Sequence, residues 1–163
     1  MRWLSVWLLA LATACSQGPA STAGGPTRDG AIHPCPEPRS AGVPSDLPLV
    51  DRETLNLGAG VLGHEVVYQR TQARRVVITV GRDVLDDIED LDVETTDETL
   101  GGKQVRLSTT LLQPSLQVAE VLTPLPEECG PLYVVAERLR PAELQDVLRR
   151  LVLAPPVGPA LPG

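Results

Sequence analysis

Apolar and polar positions alternate most regularly in the middle of the chain, where Leu62, His64, Val66 and Tyr68 interleave with Gly63, Glu65, Val67 and Gln69. A period of two puts the two sets on opposite faces of a β-strand. Arg75 to Val80 is β-branched and reads as the next strand, with a hairpin-sized Arg70–Arg74 between them and Gly81 as its end. The same alternation returns where Val105, Leu107, Thr109 and Leu111 interleave with Gln104, Arg106, Ser108 and Thr110. Pro114 interrupts that strand, and Leu116, Val118, Val121 and Leu122 predict its partner. Leu132-Tyr133-Val134-Val135-Ala136 has no polar position, as expected of a central strand buried on both faces.

The period then changes. From Pro141 to Leu151 the apolar residues Leu144, Val147, Leu148 and Leu151 recur at helical spacing. Pro141 suits a first helical turn, Glu143 and Asp146 sit toward its positive end, and Arg149 and Arg150 toward its negative end. Pro155-Pro156 stops it. Other stretches are less decisive. Leu47 to Leu57 is compatible with a short helix or a strand, and Gly58-Ala59-Gly60 is a break. The acidic stretch Asp83 to Glu98 begins with Val84, Leu85, Ile88 and Leu91 at helical spacing, predicting a short amphipathic helix, and its second half predicts an extended edge. Gly101-Gly102 is a turn, and Thr123 to Gly130 is a Pro-rich loop. The sum is a single α+β domain: a mainly antiparallel sheet of about five strands, packed by a C-terminal helix.

The two ends read differently. Ser16 to about Asp46 is rich in Gly, Pro, Ser, Thr and Ala, with too few apolar groups near its start to offset the entropy of ordering. At the N-terminus, Arg2 precedes an uncharged run that ends in Ala12-Thr13-Ala14-Cys15. A basic residue, a short apolar run and small residues before a cleavage site are the layout of a secretory signal. The layout resembles the signal of the bacterial lipoprotein family, although the family's favoured leucine three residues before the cysteine is Ala12 here. The resemblance implies cleavage before Cys15, lipidation of Cys15 (palmitate among the acyl groups), export, and anchorage to the bacterial membrane. That membrane is the outer face of the cell membrane, or the outer membrane where the envelope has two. The other readings of Met1 to Ala14 are an ordinary secretory signal and a membrane anchor; the run is short against the ~20 residues a spanning helix needs. The predicted organisation is signal peptide 1–14, flexible tether 15–34, domain 35–153 and disordered tail 154–163. The strand-to-helix ending, Leu132 to Leu151, resembles the close of small extracytoplasmic domains in lipoproteins and envelope sensors.

Composition narrows the partners. The formal charge is −7, and it becomes more negative once Arg2 leaves with the signal. An acidic domain lacks the basic footprint that tracks phosphate backbones, so no nucleic acid partner is expected. Trp3 and Trp7 lie in the signal and phenylalanine is absent, leaving Tyr68 and Tyr133 as the aromatic groups of the domain. Sugar and base sites need stacking faces, which this chain scarcely has. With Cys15 taken by the lipid, Cys35 and Cys129 remain as a disulfide pair in an oxidising compartment, the alternative being two free thiols.

Candidate chemistry is sparse. His64-Glu65 lacks the second histidine of a zinc-protease helix, since position 68 is Tyr, and His64 reads as a partly buried strand residue. His33 falls in the tether. Two histidines leave little for a catalytic triad, and neither Ser108 nor Ser115 has a nucleophile signature around it. Asp86, Asp87, Glu89 and Asp90 lack the spacing of a calcium loop and would point to different sides of a helix. Gly101-Gly102-Lys103 lacks phosphate-loop spacing. No catalytic residue, metal site or cofactor is therefore expected. The expected function is a non-catalytic binding or interaction module of the cell envelope with an envelope protein as partner. The alternative is a carrier of a lipid or other apolar ligand between sheet and helix.

Overall fold

A computed structural model describes residues 32–85, 93–111 and 113–155. It is a sheet-rich single domain, and the described residues form one α-helix and ten strands, more than the five expected. In chain order these are β1 (His33–Pro34), β2 (Glu37–Ser40), β3 (Leu49–Gly58), β4 (Val61–Thr71), β5 (Arg74–Val80), β6 (Val93–Leu100), β7 (Lys103–Thr110), β8 (Leu116–Leu122), β9 (Leu132–Glu137) and β10 (Leu151–Ala154). The helix α1 spans Pro141–Arg149, and a 3₁₀ turn covers Glu127–Cys129.

Two antiparallel meanders make the main sheet. One is β3-β4-β5; the other is β6-β7-β8-β9; they join where β9 pairs with β5. β1 adds a short parallel bridge to the start of β4, so the sheet is mixed. The stretch left open between helix and strand is β3. Its residues are mostly exposed, and Asp51-Arg52-Glu53 hides the alternation that marks a strand. β6 realises the extended edge expected from the acidic stretch, in unbroken register with β7 from Val93↔Thr110 to Leu100↔Lys103. The amphipathic helix expected before it falls mainly outside the described residues. Gly101 and Gly102 close the β6–β7 hairpin at φ of 59° and 78°, which glycine adopts without strain.

One face of the sheet carries the core. The pairs Val76↔Ala136, Ile78↔Val134 and Val80↔Leu132 join β5 to β9, and Ala119 and Val121 extend the layer on β8. Leu144, Val147 and Leu148 of α1 pack on it, each at most 1% exposed. The layer between sheet and helix is thus filled with side chains. Leu151 corrects the predicted helix. It is buried as the stripe requires, but α1 ends at Arg149 and Leu151 opens β10, which pairs antiparallel with β2. Leu151 follows Leu148 by three residues and also starts a strand facing the core, so both periods bury it. The domain therefore uses Ala154, expected in the tail, and His33–Pro34, expected in the tether. Prolines around β2 disguise that strand; it pairs only with β10, where proline is tolerated. Gly42 lets the chain pass close to α1, since a Cβ there would lie 2.1 Å from the Asp146 carbonyl oxygen.

The disulfide joins Cys35 to Cys129 with a Cα–Cα distance of 5.6 Å, and both residues are buried. Cys35 follows β1, and its N–H donates to the Leu62 carbonyl of β4. Cys129 closes the 3₁₀ turn just before β9. The bridge therefore ties the first meander to the start of the last strand of the second. No helix among the described residues is long and apolar enough to cross a membrane.

Candidate functional site: a valine-floored groove on the open face

The face of the sheet opposite α1 has its own pattern, set by register. Val67, Val77, Val135 and Val118 stand side by side on β4, β5, β9 and β8. On one flank the row Gln69, Arg75, Glu137, Leu116 runs parallel to them. On the other flank runs Glu65, Thr79, Tyr133, Glu120, Arg106 and Asp97. An apolar strip one side chain wide thus lies between two polar rows.

After Gly81 the chain turns back toward this face, and Arg82 and Val84 join the wall of a cavity of about 270 Å³ over the valine row. Leu116 completes its apolar lining. Ion pairs rim it: Arg75 Nε donates to Glu137 Oε1 at 2.9 Å, and Arg82 lies 3.9 Å from Glu65. Val77 is 8% and Val118 2% exposed, whereas Val67 and Val135 are half-buried and form the accessible floor. Val135 is the one position at which the β9 run predicted to be buried throughout opens to solvent. A second cavity, of about 440 Å³, shares Leu116 and Glu137 with the first and is also lined by Ser115 and Arg138. Arg138 has a φ of 52° and donates its N–H to the Ser115 carbonyl at 2.7 Å. Beneath the other polar flank, Thr79 is fully buried and its Oγ1 has no hydrogen-bond partner among the described residues.

The groove is suited to holding an apolar group. Its floor has no nucleophile, and the carboxylates at its rim are matched with guanidinium groups.

Of the described residues singled out from sequence, Glu65 and Ser115 line the cavities and the others lie elsewhere. Cys15, Asp86, Asp87, Glu89 and Asp90 are outside the described residues. Cys35 and Cys129 are joined as a disulfide. His64 is half-buried on β4, with Nε2–H donating to the Cys35 carbonyl at 3.0 Å, so it supports the disulfide-bearing segment. Ser108 shares a 3.2 Å hydrogen bond with Thr95 across β6 and β7. The acidic residues of β6 diverge: Glu94 and Glu98 alternate with Thr95 and Asp97, and Asp97 pairs with Arg106 at 3.1 Å. Among the described residues no three His, Cys, Asp or Glu side chains converge as metal ligands would.

Sequence reasoning missed the groove, yet a signal was present. Four strands carry apolar doublets: Val66-Val67, Val76-Val77, Val118-Ala119 and Val134-Val135. In a half-buried strand one member of each doublet should be polar. Doublets on four neighbouring strands mark a second apolar surface. The chain matches no known protein family, no curated protein and no solved structure.

Proposed function

We propose that this chain is an exported lipoprotein, acylated at Cys15 and anchored to the membrane. Its disulfide-closed domain is a non-catalytic binding module of the cell envelope, and the valine-floored groove is its contact surface. The carrying observation is the in-register row Val67, Val77, Val135, Val118 between two charged rows, on a face the core does not use. A stripe of this kind offers apolar burial in its middle and orientation at its rim, which is how recognition surfaces are built. The Cys35–Cys129 disulfide is in keeping with an oxidising extracytoplasmic compartment. Against a ligand held between sheet and helix stands the filled layer there: Ile78, Val134, Val147 and Leu148 are fully buried.

Two measurements test this reading. Cells fed labelled palmitate should label the wild-type protein and not Cys15→Ala; label persisting on the variant would remove the anchor. A photo-reactive amino acid at Val84 should capture a partner in cells, and Val67→Asp should abolish the adduct without lowering the melting temperature. Capture no greater than from a probe at Lys103, outside the groove, would remove the contact surface.

A further inference from the structure

We propose that the groove binds a single-chain fatty acid, its alkyl tail along the valine row and its carboxylate on Arg138. This rests on the reading of the open face as the contact surface and names the class of ligand.

Three features select that class. The accessible part of the valine row, Val67 to Val135, crosses two inter-strand spacings of ~4.8 Å, about 10 Å, and the lining adds Val84 and Leu116. That floor belongs to β4, β5, β9 and β8, each paired on both sides, so no backbone N–H or C=O is free to meet a ligand. An extended peptide laid there would strand its own amides against valine, which is costly; an alkyl chain has no such groups. Among the described residues the lining also has no aromatic side chain on which a sugar or base could stack.

Charge places the head group. Arg75 and Arg82 are matched by Glu137 and Glu65. Arg138 makes no ion pair among the described residues and is exposed in the wall of the second cavity, which shares Leu116 and Glu137 with the first. Among the described residues the two cavities are lined by three arginines and two glutamates. Glu137, beside the proposed carboxylate, is neutralised by its 2.9 Å ion pair with Arg75, which limits repulsion. A guanidinium binds a carboxylate in a two-pronged fork.

The backbone of Arg138 supplies a clean variant. Its positive φ suits glycine, so Arg138→Gly keeps the local conformation while removing the cation. The test uses the full chain with Cys15→Ala, so that no anchor competes, and titrates laurate by calorimetry. Saturable one-site binding is expected. Arg138→Gly should weaken laurate at least tenfold and leave lauryl alcohol unchanged, Arg138→Lys should restore part of the loss, and Val67→Asp should weaken both ligands. Melting temperatures check that each variant is folded. Absence of saturable laurate binding to folded protein overturns the proposal, as does equal laurate affinity in Arg138→Gly. Binding to phosphatidylglycerol vesicles without binding to laurate would also overturn it, pointing to a membrane surface. Loss of laurate binding with capture from Val84 intact in cells would refute the ligand class alone; loss of both would remove the contact surface as well.

Discussion

Removing the Cys35–Cys129 bridge is the largest single perturbation available, and its size follows from the chain. The two residues are 94 positions apart, so the bridge closes most of the domain into one loop. For a loop of that length the chain-entropy treatment gives about 4–5 kcal/mol, an upper figure because residual structure in the unfolded chain reduces it. That compares with the ~5–15 kcal/mol that holds a typical domain together. Both sulfurs are buried, so serine would leave two hydroxyls needing partners; alanine at both positions is the cleaner change. With a urea slope of about 1–3 kcal/mol per molar, the midpoint should fall by roughly 2 M. Equilibrium urea unfolding of the two proteins, followed by circular dichroism, measures it. A loss below ~1 kcal/mol at unchanged slope would refute the reasoning, because it would mean the closed loop does not restrict the unfolded chain. Alkylation before reduction gives the covalent check: freshly purified protein should expose neither thiol.

Three further changes have signs fixed by the structure. Thr79→Val should stabilise by about 1–3 kcal/mol, because it replaces a fully buried, unpartnered hydroxyl by a methyl of similar shape; a lower melting temperature would reveal a partner for Oγ1. Leu148→Ala should cost ~2–5 kcal/mol in urea unfolding, since its side chain is fully enclosed between helix and sheet, and a loss below ~1 kcal/mol would contradict that packing. Glu143 accepts hydrogen bonds from the Arg140 side chain and from the Arg140 backbone N–H, and these hold its carboxyl below the ordinary value. Its contribution is therefore complete above the unfolded carboxyl value of ~4.3 and fades as pH falls through the lower folded value. Glu143→Gln should cost about 1–2 kcal/mol near neutral pH and flatten the acid side of the stability curve; an unchanged acid slope would refute the linkage.

How much could be read from sequence depended on which surfaces each element buries. β4, β5, β7, β8, β9 and most of α1 bury a continuous stripe, so their periods show. β3 and β6 form the outer edges of the main sheet and are exposed along most of both faces, so no alternation was available to mark them. β10 was hidden because Leu151 is in phase with the preceding helix, and β2 because prolines surround it. The disulfide was legible from the cysteine count together with the expected export. The groove was not, because it depends on register. Val77 and Val135 are 58 positions apart by number, and only the pairing of β5 with β9 brings them side by side.

That pairing is where the fold and the proposed site meet. Within each meander, neighbouring strands are joined by short connections and their pairing is local. The β5–β9 seam is the exception, with six pairs whose partners lie far apart in the chain. Alternate pairs serve opposite purposes. Val76↔Ala136, Ile78↔Val134 and Val80↔Leu132 face the core, while Arg75↔Glu137, Val77↔Val135 and Thr79↔Tyr133 face the groove side. The groove floor thus straddles the junction between the two meanders, which local structure does not enforce. The disulfide acts on the same junction: Cys129 sits just before β9, and Cys35 is held to β4, the neighbour of β5, through the Leu62 carbonyl. Long-range strand pairing is entropically the most expensive part of such a sheet, and a covalent tie at its end lowers that cost. A ligand lying across Val77 and Val135 would hold the same two strands together from the open face. Bridge and ligand therefore act on one seam, and their stabilising effects should be coupled rather than additive.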